Sequence, residues 1–422
     1  MKSLSNVFTQ DTLLHSFNEL EHFTGLCDIG MNAFWGCSRL ESVRIPRTVR
    51  YIRQNAFRCT ALEMITIPSS VAAIGDHALE DCPRLETVIF ESVLPNTNIG
   101  SLPIANCPRL SAIFVSAYSL TPEAEKASWK SLAEYITTSI RFRDPQVKAV
   151  CISHWDKNGD HELSIHEAME VTSLGAAFAG NTAIRSFDEL KYFTGLTEIE
   201  ASAFDRCTNL QSVCLPSTLR AIGQNAFLAC GLRSVYIPAK TVKIAATAFG
   251  SDWYLSEVEV SPDNPVYDSR EHCNAIITTA TNQMLTGSTT AFIPRSVTSL
   301  SDECFNWFNR EEFVLPAQIT RLGPWSLTSI FRRVYCESPI PPAFDSLNGT
   351  AYLFPHRDMG FPEPDIYVPY GSLEAYRKAE GWALFADRLR EYPAPAPPYS
   401  LSFFPLLTKR TNLDQHSFQK IQ

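Results

Sequence analysis

The sequence predicts a strand-rich repeat solenoid in two blocks joined by a helix–loop–helix segment. Three observations predict it: a recurring phrase, a gapless internal duplication and one acidic loop between the duplicated parts. The phrase opens at Ala33-Phe34 and runs through Cys37, Leu40, Val43, Ile45-Pro46 and Val49 to Ile52. It restarts at Ala56-Phe57 with Cys59, Leu62, Ile65, Ile67-Pro68, Val71 and Ile74, and again at Ala78-Leu79. Further copies begin at Ala203-Phe204, Ala226-Phe227 and Ala248-Phe249, with weaker ones at Cys304-Phe305 and Ser326-Leu327.

Each copy carries apolar residues in alternation, such as Val43 and Ile45, which reads as a short strand with one buried face. No copy buries that face alone, so neighbours must stack into a continuous core. The proline after the strand costs no ladder hydrogen bond there. Twelve cysteines are present, and Cys37, Cys59, Cys82, Cys107, Cys207 and Cys230 are assigned to one repeat position. Their placement explains them as small buried hydrophobes better than as disulfides or a zinc site, whose ligands must converge on one point.

The duplication sets the larger plan. Ser16-Phe17-Asn18-Glu19-Leu20-Glu21-His22-Phe23-Thr24-Gly25-Leu26 matches the segment Ser186 to Leu196 without a gap, at an offset of 170, the separation of Ser186 from Ser16. The block ends are alike too. Ile113-Phe114-Val115 with Trp129 parallels Ile366-Tyr367-Val368 with Trp382, and residues 120–137 and 372–390 read as helical caps over the last apolar face of each block. The expected domains are residues 1–140, 141–172, 173–391 and a Pro-rich, disordered tail over 392–422. At the 170 offset Met1 falls opposite Val171, so the sequence is expected to open partway through a module, with any export signal ahead of it.

A net charge of −9 argues against nucleic acid or an anionic membrane as the main partner. No run of about 18 apolar residues occurs, so no membrane-spanning helix is expected. The first residues contain no apolar stretch of the length a signal peptide needs.

Between the blocks lies Asp156-Lys157-Asn158-Gly159-Asp160-His161-Glu162-Leu163-Ser164-Ile165-His166-Glu167. Oxygen donors stand where a twelve-residue calcium loop needs them: Asp156, Asn158 and Asp160 first, then the Glu162 carbonyl, Ser164 through water, and a bidentate Glu167. Asp144-Pro145 reads as the start of the entering helix, and Ser164-x-x-Glu167 as a capping box for the leaving one. His161 occupies the place where glycine usually makes the sharp turn, which predicts a single, weak Ca²⁺ site of structural role at the joint between blocks. A zinc reading of Cys151, His154, His161 and His166 fails on spacing, because His161 and His166 stand five apart and two of the histidines sit inside the loop.

The phrases Leu40-Glu41-Ser42-Val43-Arg44-Ile45-Pro46 and Val49 to Phe57 resemble the BspA-like family of bacterial leucine-rich-repeat proteins. Asn264-Pro265-Val266-Tyr267-Asp268-Ser269-Arg270, Cys273-Asn274-Ala275-Ile276-Ile277 and Tyr367-Val368-Pro369-Tyr370-Gly371-Ser372 carry the same resemblance, and the loop ahead of a repeat block is similar to an arrangement in such proteins from gut Bacteroidetes. The resemblance implies a leucine-rich-repeat fold and a secreted or cell-surface protein that adheres to host or cell-surface protein partners without catalysis.

By strand alternation the outward, partner-facing residues are Arg44, Thr66, Ile89, Phe114, Tyr236, Glu259, Val314 and Tyr335. The alternatives are an intracellular repeat scaffold and an enzyme. The latter finds no phosphate-binding glycine loop, nucleophile elbow or metalloprotease motif in the sequence.

Overall fold

The computed structural model describes residues 2–91, 98–100, 103–115, 132, 135–305, 311–328, 331–344, 353–354 and 364–392. The fold is a repeat of short strands with few helices. By compactness the chain divides into residues 1–279 and 280–422, so the division falls inside the second predicted block. The predicted cap over 120–137 lies outside the described residues apart from Leu132 and residues 135–137, and 393–422 of the tail lie outside them altogether.

In the first unit each coil contributes to two parallel ladders where the alternation alone predicts one. Asp28–Ile29, Tyr51–Ile52 and Ala73–Ile74 pair in register, with Ser3–Leu4 before them and Asn98–Ile99 after. The longer strands Met64–Ile67, Thr87–Phe90 and Ala112–Phe114, with the two-residue Ile136–Thr137 beside the last, form the second ladder. Met64–Ile67 stops at Ile67, and Pro68 follows, as the missing N–H of proline requires. In the later coils Ser234–Ile237 pairs with Glu257–Val260, and Pro238 again follows the strand.

The turn between ladders is where coil locks to coil. The Phe34 N–H donates to the Ala56 carbonyl, Phe57 to Ala78 and Phe204 to Ala226, each at 2.8 Å. The same phenylalanines stack along the axis: Phe8 on Phe34, Phe34 on Phe57, Phe204 on Phe227 and Phe227 on Phe249, at 5.1–5.4 Å between ring centroids.

Four residues into each of these turns sits a rung, which in most coils is a thiol that donates a hydrogen bond. The thiol of Cys37 donates to the Phe8 carbonyl, Cys82 to Phe57, Cys107 to Leu79, Cys207 to Phe178 and Cys230 to Phe204. Each thiol therefore ties its coil to the one before. Cys59 is the correction to the predicted register. It stands one position earlier, with φ 58° and its N–H on the Glu80 carbonyl, at the left-handed turn position that Gly36 and Arg206 occupy in their coils. Thr60 fills the rung instead, buried, with its hydroxyl donating to the Phe57 carbonyl at 2.9 Å. This hydroxyl bonds within its own coil, whereas the thiols reach the coil before, so what the position keeps in common is a small donor.

After Cys230 the rung is Asp252, 1% exposed, with neither carboxyl oxygen hydrogen-bonded. Burial raises its pKa well above the ordinary carboxylate value, against a smaller opposing effect from the Cys230 main chain.

In the second unit Gln283–Gly287, Ser299–Leu300, Arg321–Leu322 and Ala343–Phe344 form one parallel ladder. Glu312–Leu315, Arg333–Cys336, Asp365–Val368 and Leu389–Glu391 form the other. Residues 372–390 do not make one helix. Leu373–Lys378 is helical, Trp382–Phe385 is a 3-10 turn, and Leu389 begins the edge strand. Trp382 is buried against Phe344 and Tyr376, both 4.9 Å away, and its indole N–H donates to the Pro342 carbonyl at 2.8 Å.

Asp252 gives a signed pH prediction. Its folded pKa is raised, so the neutral acid is the form the fold favours. Its contribution is fully present below the unfolded carboxylate value of about 3.9 and is lost as pH rises toward the folded value. Denaturant unfolding across that range is expected to show Asp252→Asn gaining stability over the natural chain as pH rises, with the two converging in acid.

Candidate functional site

The acidic loop is framed by α1, Pro145–Trp155, and α2, Ile165–Glu170. Asp144 caps α1, accepting from the Gln146 N–H at 2.8 Å, and its second oxygen accepts from Arg185 at 2.5 Å and Ser186 at 3.3 Å. Burial opposes the charge on Asp144, but these N–H groups outweigh it and hold the carboxyl below the usual range. One side chain thus starts the helix and fastens it to the second block. Trp155, at the end of α1, lies 5.7 Å from Phe193 and 6.1 Å from Phe178.

Within the loop, side-chain oxygens fold the backbone around themselves. Asp156 accepts from the N–H groups of Gly159 at 2.7 Å and His161 at 3.0 Å. Asn158 accepts from Asp160, and Asp160 from Glu162, both at 2.8 Å. His161 takes φ 63° beside Gly159 at φ 73°, so the turn that glycine usually makes is formed with histidine in its place. Glu167 is 8% exposed and reaches back across the loop. One oxygen accepts from Lys157 at 2.9 Å and Asn158 at 3.3 Å, the other from the N–H and hydroxyl of Ser164, both at 2.9 Å. The capping box is complete. Leu163 is fully buried, and its carbonyl accepts from Ile140 at 2.8 Å. The Glu162 carboxylate turns to Lys148 at 2.5 Å, which leaves its backbone carbonyl as the donor predicted at that position.

The donor set is all oxygen, suited to a hard divalent cation. Each of the Asp156, Asn158 and Asp160 oxygens that accepts an N–H keeps a second lone pair. Among the described residues no group of three or more His, Cys, Asp and Glu converges closely enough to hold a metal ion. The thiol of Cys151, named in the zinc reading, is buried and pushed up by that burial, with Glu189 adding to it.

The predicted outward residues divide among different surroundings. Ile89 and Phe114 are 0% and 1% exposed, so they do not face water as strand alternation predicts. Tyr192, from the duplicated opening segment of the second block, lies over this sheet at Phe114 and Thr87. Its ring meets Phe114 edge-on at 5.2 Å, and its hydroxyl lies 3.3 Å from that of Thr87. Beside it Lys191 pairs with Glu86 at 2.7 Å. Burial pulls the Lys191 pKa down, but Tyr192 and Glu86 more than offset it.

Sequence reasoning missed this junction, although a signal was present. Thr87–Phe90 and Ala112–Phe114 are buried at every position, and the runs Thr87-Val88-Ile89-Phe90 and Ala112-Ile113-Phe114 hold no charged residue, as strands covered on both faces do.

Arg44 and Thr66 line a groove of about 770 Å³ together with Glu21, Arg47, Met169 and Thr218. Arg44 meets Glu21 at 3.3 Å. Met169 belongs to α2, so the groove wall continues directly from the helix that carries Glu167. Tyr236 is 45% exposed and Glu259 is exposed. In the second unit Val314 is half-buried, and Tyr335 stacks on Tyr367 at 5.1 Å. Among the described residues no helix is long and apolar enough to cross a membrane.

The BspA type leucine rich repeat region matches in six copies over residues 5–121 and 176–282. Among solved structures, a leucine rich cell surface protein from Faecalibacterium prausnitzii is similar at 16% identity and a TM-score of 0.33, over 82% of this chain and 84% of that one. A leucine-rich repeat protein from Bacteroides ovatus is similar at 13% identity and a TM-score of 0.22, over 93% and 88%. The pneumococcal vaccine antigen PcpA is similar at 12% and 0.26, over 82% and 83%. No curated protein matches the chain.

Removal of the covering ring tests the junction. Tyr192→Ala is expected to cost about 3–5 kcal/mol in unfolding free energy. It should also speed hydrogen exchange over 87–90 and 112–114 while leaving 234–237 unchanged.

Proposed function

The chain belongs to the BspA-type leucine-rich repeat family, and from that premise we propose that it is a non-catalytic interaction protein of the cell surface, adhering to a protein partner and braced by calcium between its repeat blocks. One observation carries the reading. The groove beside the first block's strands keeps Arg44 and Thr66 at its wall, and the strand face farther along the unit keeps Tyr236 and Glu259 exposed. Outward side chains of stacked strands form a continuous surface, and arginine and tyrosine on such a surface are the residue types that anchor protein partners. Stacked repeat coils suit this role because each is hydrogen-bonded to its neighbours.

Partner binding is tested on immobilised host matrix and cell-surface proteins by surface plasmon resonance. Arg44→Ala and Tyr236→Ala are each expected to weaken the strongest interaction by about tenfold. Equal affinity in both variants and the natural chain would remove the surface from the reading.

Calcium fits the same picture as a brace. Asp156, Asn158, Asp160, the Glu162 carbonyl, Ser164 and Glu167 would hold the ion, which would supply positive charge to a loop now closed by its own N–H groups. Asp144 and Trp155 would carry the stiffening into the second block, and Met169 into the groove wall. In saturating calcium, at about a hundred times the dissociation constant, the chain is expected to gain about 2.7 kcal/mol over its chelated form. Asp156→Asn with Glu167→Gln should abolish that gain. Superimposable melts with calcium and with chelator would refute the site.

A further inference from the structure

One rung departs from the others in chemistry while keeping their place. Asp252 lies 252 − 82 = 170 positions after Cys82, the offset of the duplication, and the two residues sit in the same frame of hydrogen bonds. Phe227 donates to the Ala248 carbonyl as Phe57 does to Ala78, both at 2.8 Å. Ala229 donates to Gly250 at 2.9 Å, and Cys59 to Glu80 at 3.0 Å. Leu255 closes its turn on the Asp252 carbonyl and Leu85 on that of Cys82, both at 3.3 Å.

Within that frame the Cys82 thiol donates to the Phe57 carbonyl at 3.2 Å. The acceptor at the matching place is the Phe227 carbonyl, which takes one bond inside its own coil, from the Cys230 N–H at 3.4 Å, and keeps a lone pair. The same Cys230 main chain acts on the Asp252 carboxyl, so carboxyl and carbonyl stand beside one N–H. Asp252 is 1% exposed, and neither of its oxygens is hydrogen-bonded. An ionised carboxylate and a carbonyl are both acceptors, and burying them together without a donor between them is costly. A neutral acid removes the conflict, because a protonated carboxyl carries one O–H donor.

We propose that Asp252 is a proton-loaded rung: its neutral carboxyl donates an O–H to the Phe227 carbonyl, and loss of that proton unlocks this coil from the one before.

No cation among the described residues pairs with the carboxyl. From the preceding coil the titratable group acting with it is the Cys230 thiol, which the Cys207 thiol and burial hold protonated. In the segment that follows, Asp268 and Arg270 pair with each other at 2.6 Å and act on Cys273. On its own turn Tyr254 and Glu257 are exposed. The proton is lost as pH rises through the raised value, so the lock holds in acid and is released in base. The turn leads into Glu257–Val260, whose Glu259 pairs with Tyr236. A firmer Tyr236 and Glu259 surface in acid follows from the lock and rests on the interaction role proposed above; the rung itself does not.

Hydrogen exchange of the full chain, followed by mass spectrometry from about pH 3.9 to about pH 8.5, the ordinary carboxylate and thiol values, tests the rung without any partner. Leu255 and Ser256 report on it, since their N–H groups close the turn on Asp252 and on Arg233. Their protection is expected to fall about tenfold per pH unit once the proton is lost, as coupling to one proton requires, while Thr87–Phe90 stays constant. Asp252→Cys, which installs the donor of the other rungs, should hold the protection level across the range. Asp252→Ala should be equally flat but less protected. A natural chain whose protection is indifferent to pH overturns the proposal. So does a slope that survives in Asp252→Cys, which would place the titrating group elsewhere, and so does Asp252→Ala protected as well as Asp252→Cys, which would leave the carboxyl no part as a donor.

Discussion

Everything in this molecule depends on the fit between one coil and the next at the alanine-phenylalanine turn. There the Phe N–H meets the following coil's alanine carbonyl at 2.8 Å, and the rings stack at just over 5 Å. The carbonyl of that phenylalanine accepts once within its own coil, as Phe204 does from the Cys207 N–H at 3.1 Å, and keeps a second lone pair for the neighbouring coil. Cys82, Cys207 and Cys230 each donate to it from the neighbouring coil, and Cys107 donates to the Leu79 carbonyl in the same way. A thiol is a weak donor, yet it is small, mostly apolar and long enough to reach. A larger polar group would break the stack, and alanine would remove the thiol's link between coils.

Most of the fold is legible in the sequence because its causes are local and repeated. The period, the strands and their terminal prolines, the duplication and both helices around the acidic loop rest on residues a few positions apart. The rung register is misread at Cys59 for a chemical reason. The letter that recurs is cysteine, whereas what recurs in the structure is a small donor, and Thr60 supplies it. The ladder of two-residue strands is hidden by brevity, since pairs such as Tyr51–Ile52 are too short to show alternation.

The candidate loop is legible for the same reason as the repeats, with even the turn at His161 following from the template. The junction is not legible by alternation. Strand period says which side of Ile89 and Phe114 faces away from the core of their own block, but not what lies over that side. Tyr192, which lies 192 − 114 = 78 residues beyond Phe114, decides it. A contact of that kind is visible only as an absence of charge in the strands beneath it.

That absence has a converse. Where the sheet is covered, its outward positions are Thr87, Ile89, Ala112 and Phe114. On Ser234–Ile237 and Glu257–Val260, where alternation persists, they are Ser234, Tyr236, Glu257 and Glu259. In the second unit one outward row is charged, Glu312 with Arg333 at 2.5 Å and then Asp365, which Arg388 meets at 3.7 Å, while the next is Val314, Tyr335 and Tyr367, ending at Arg390. The inward row barely changes across the three, because the stack constrains it. The outward row is free of that constraint, so its composition reflects only what it meets. An aromatic row beside a charged one matches neither the covered sheet nor the open one. It has the apolar contact of the first and the soluble rim of the second, the combination found in surfaces that are sometimes covered.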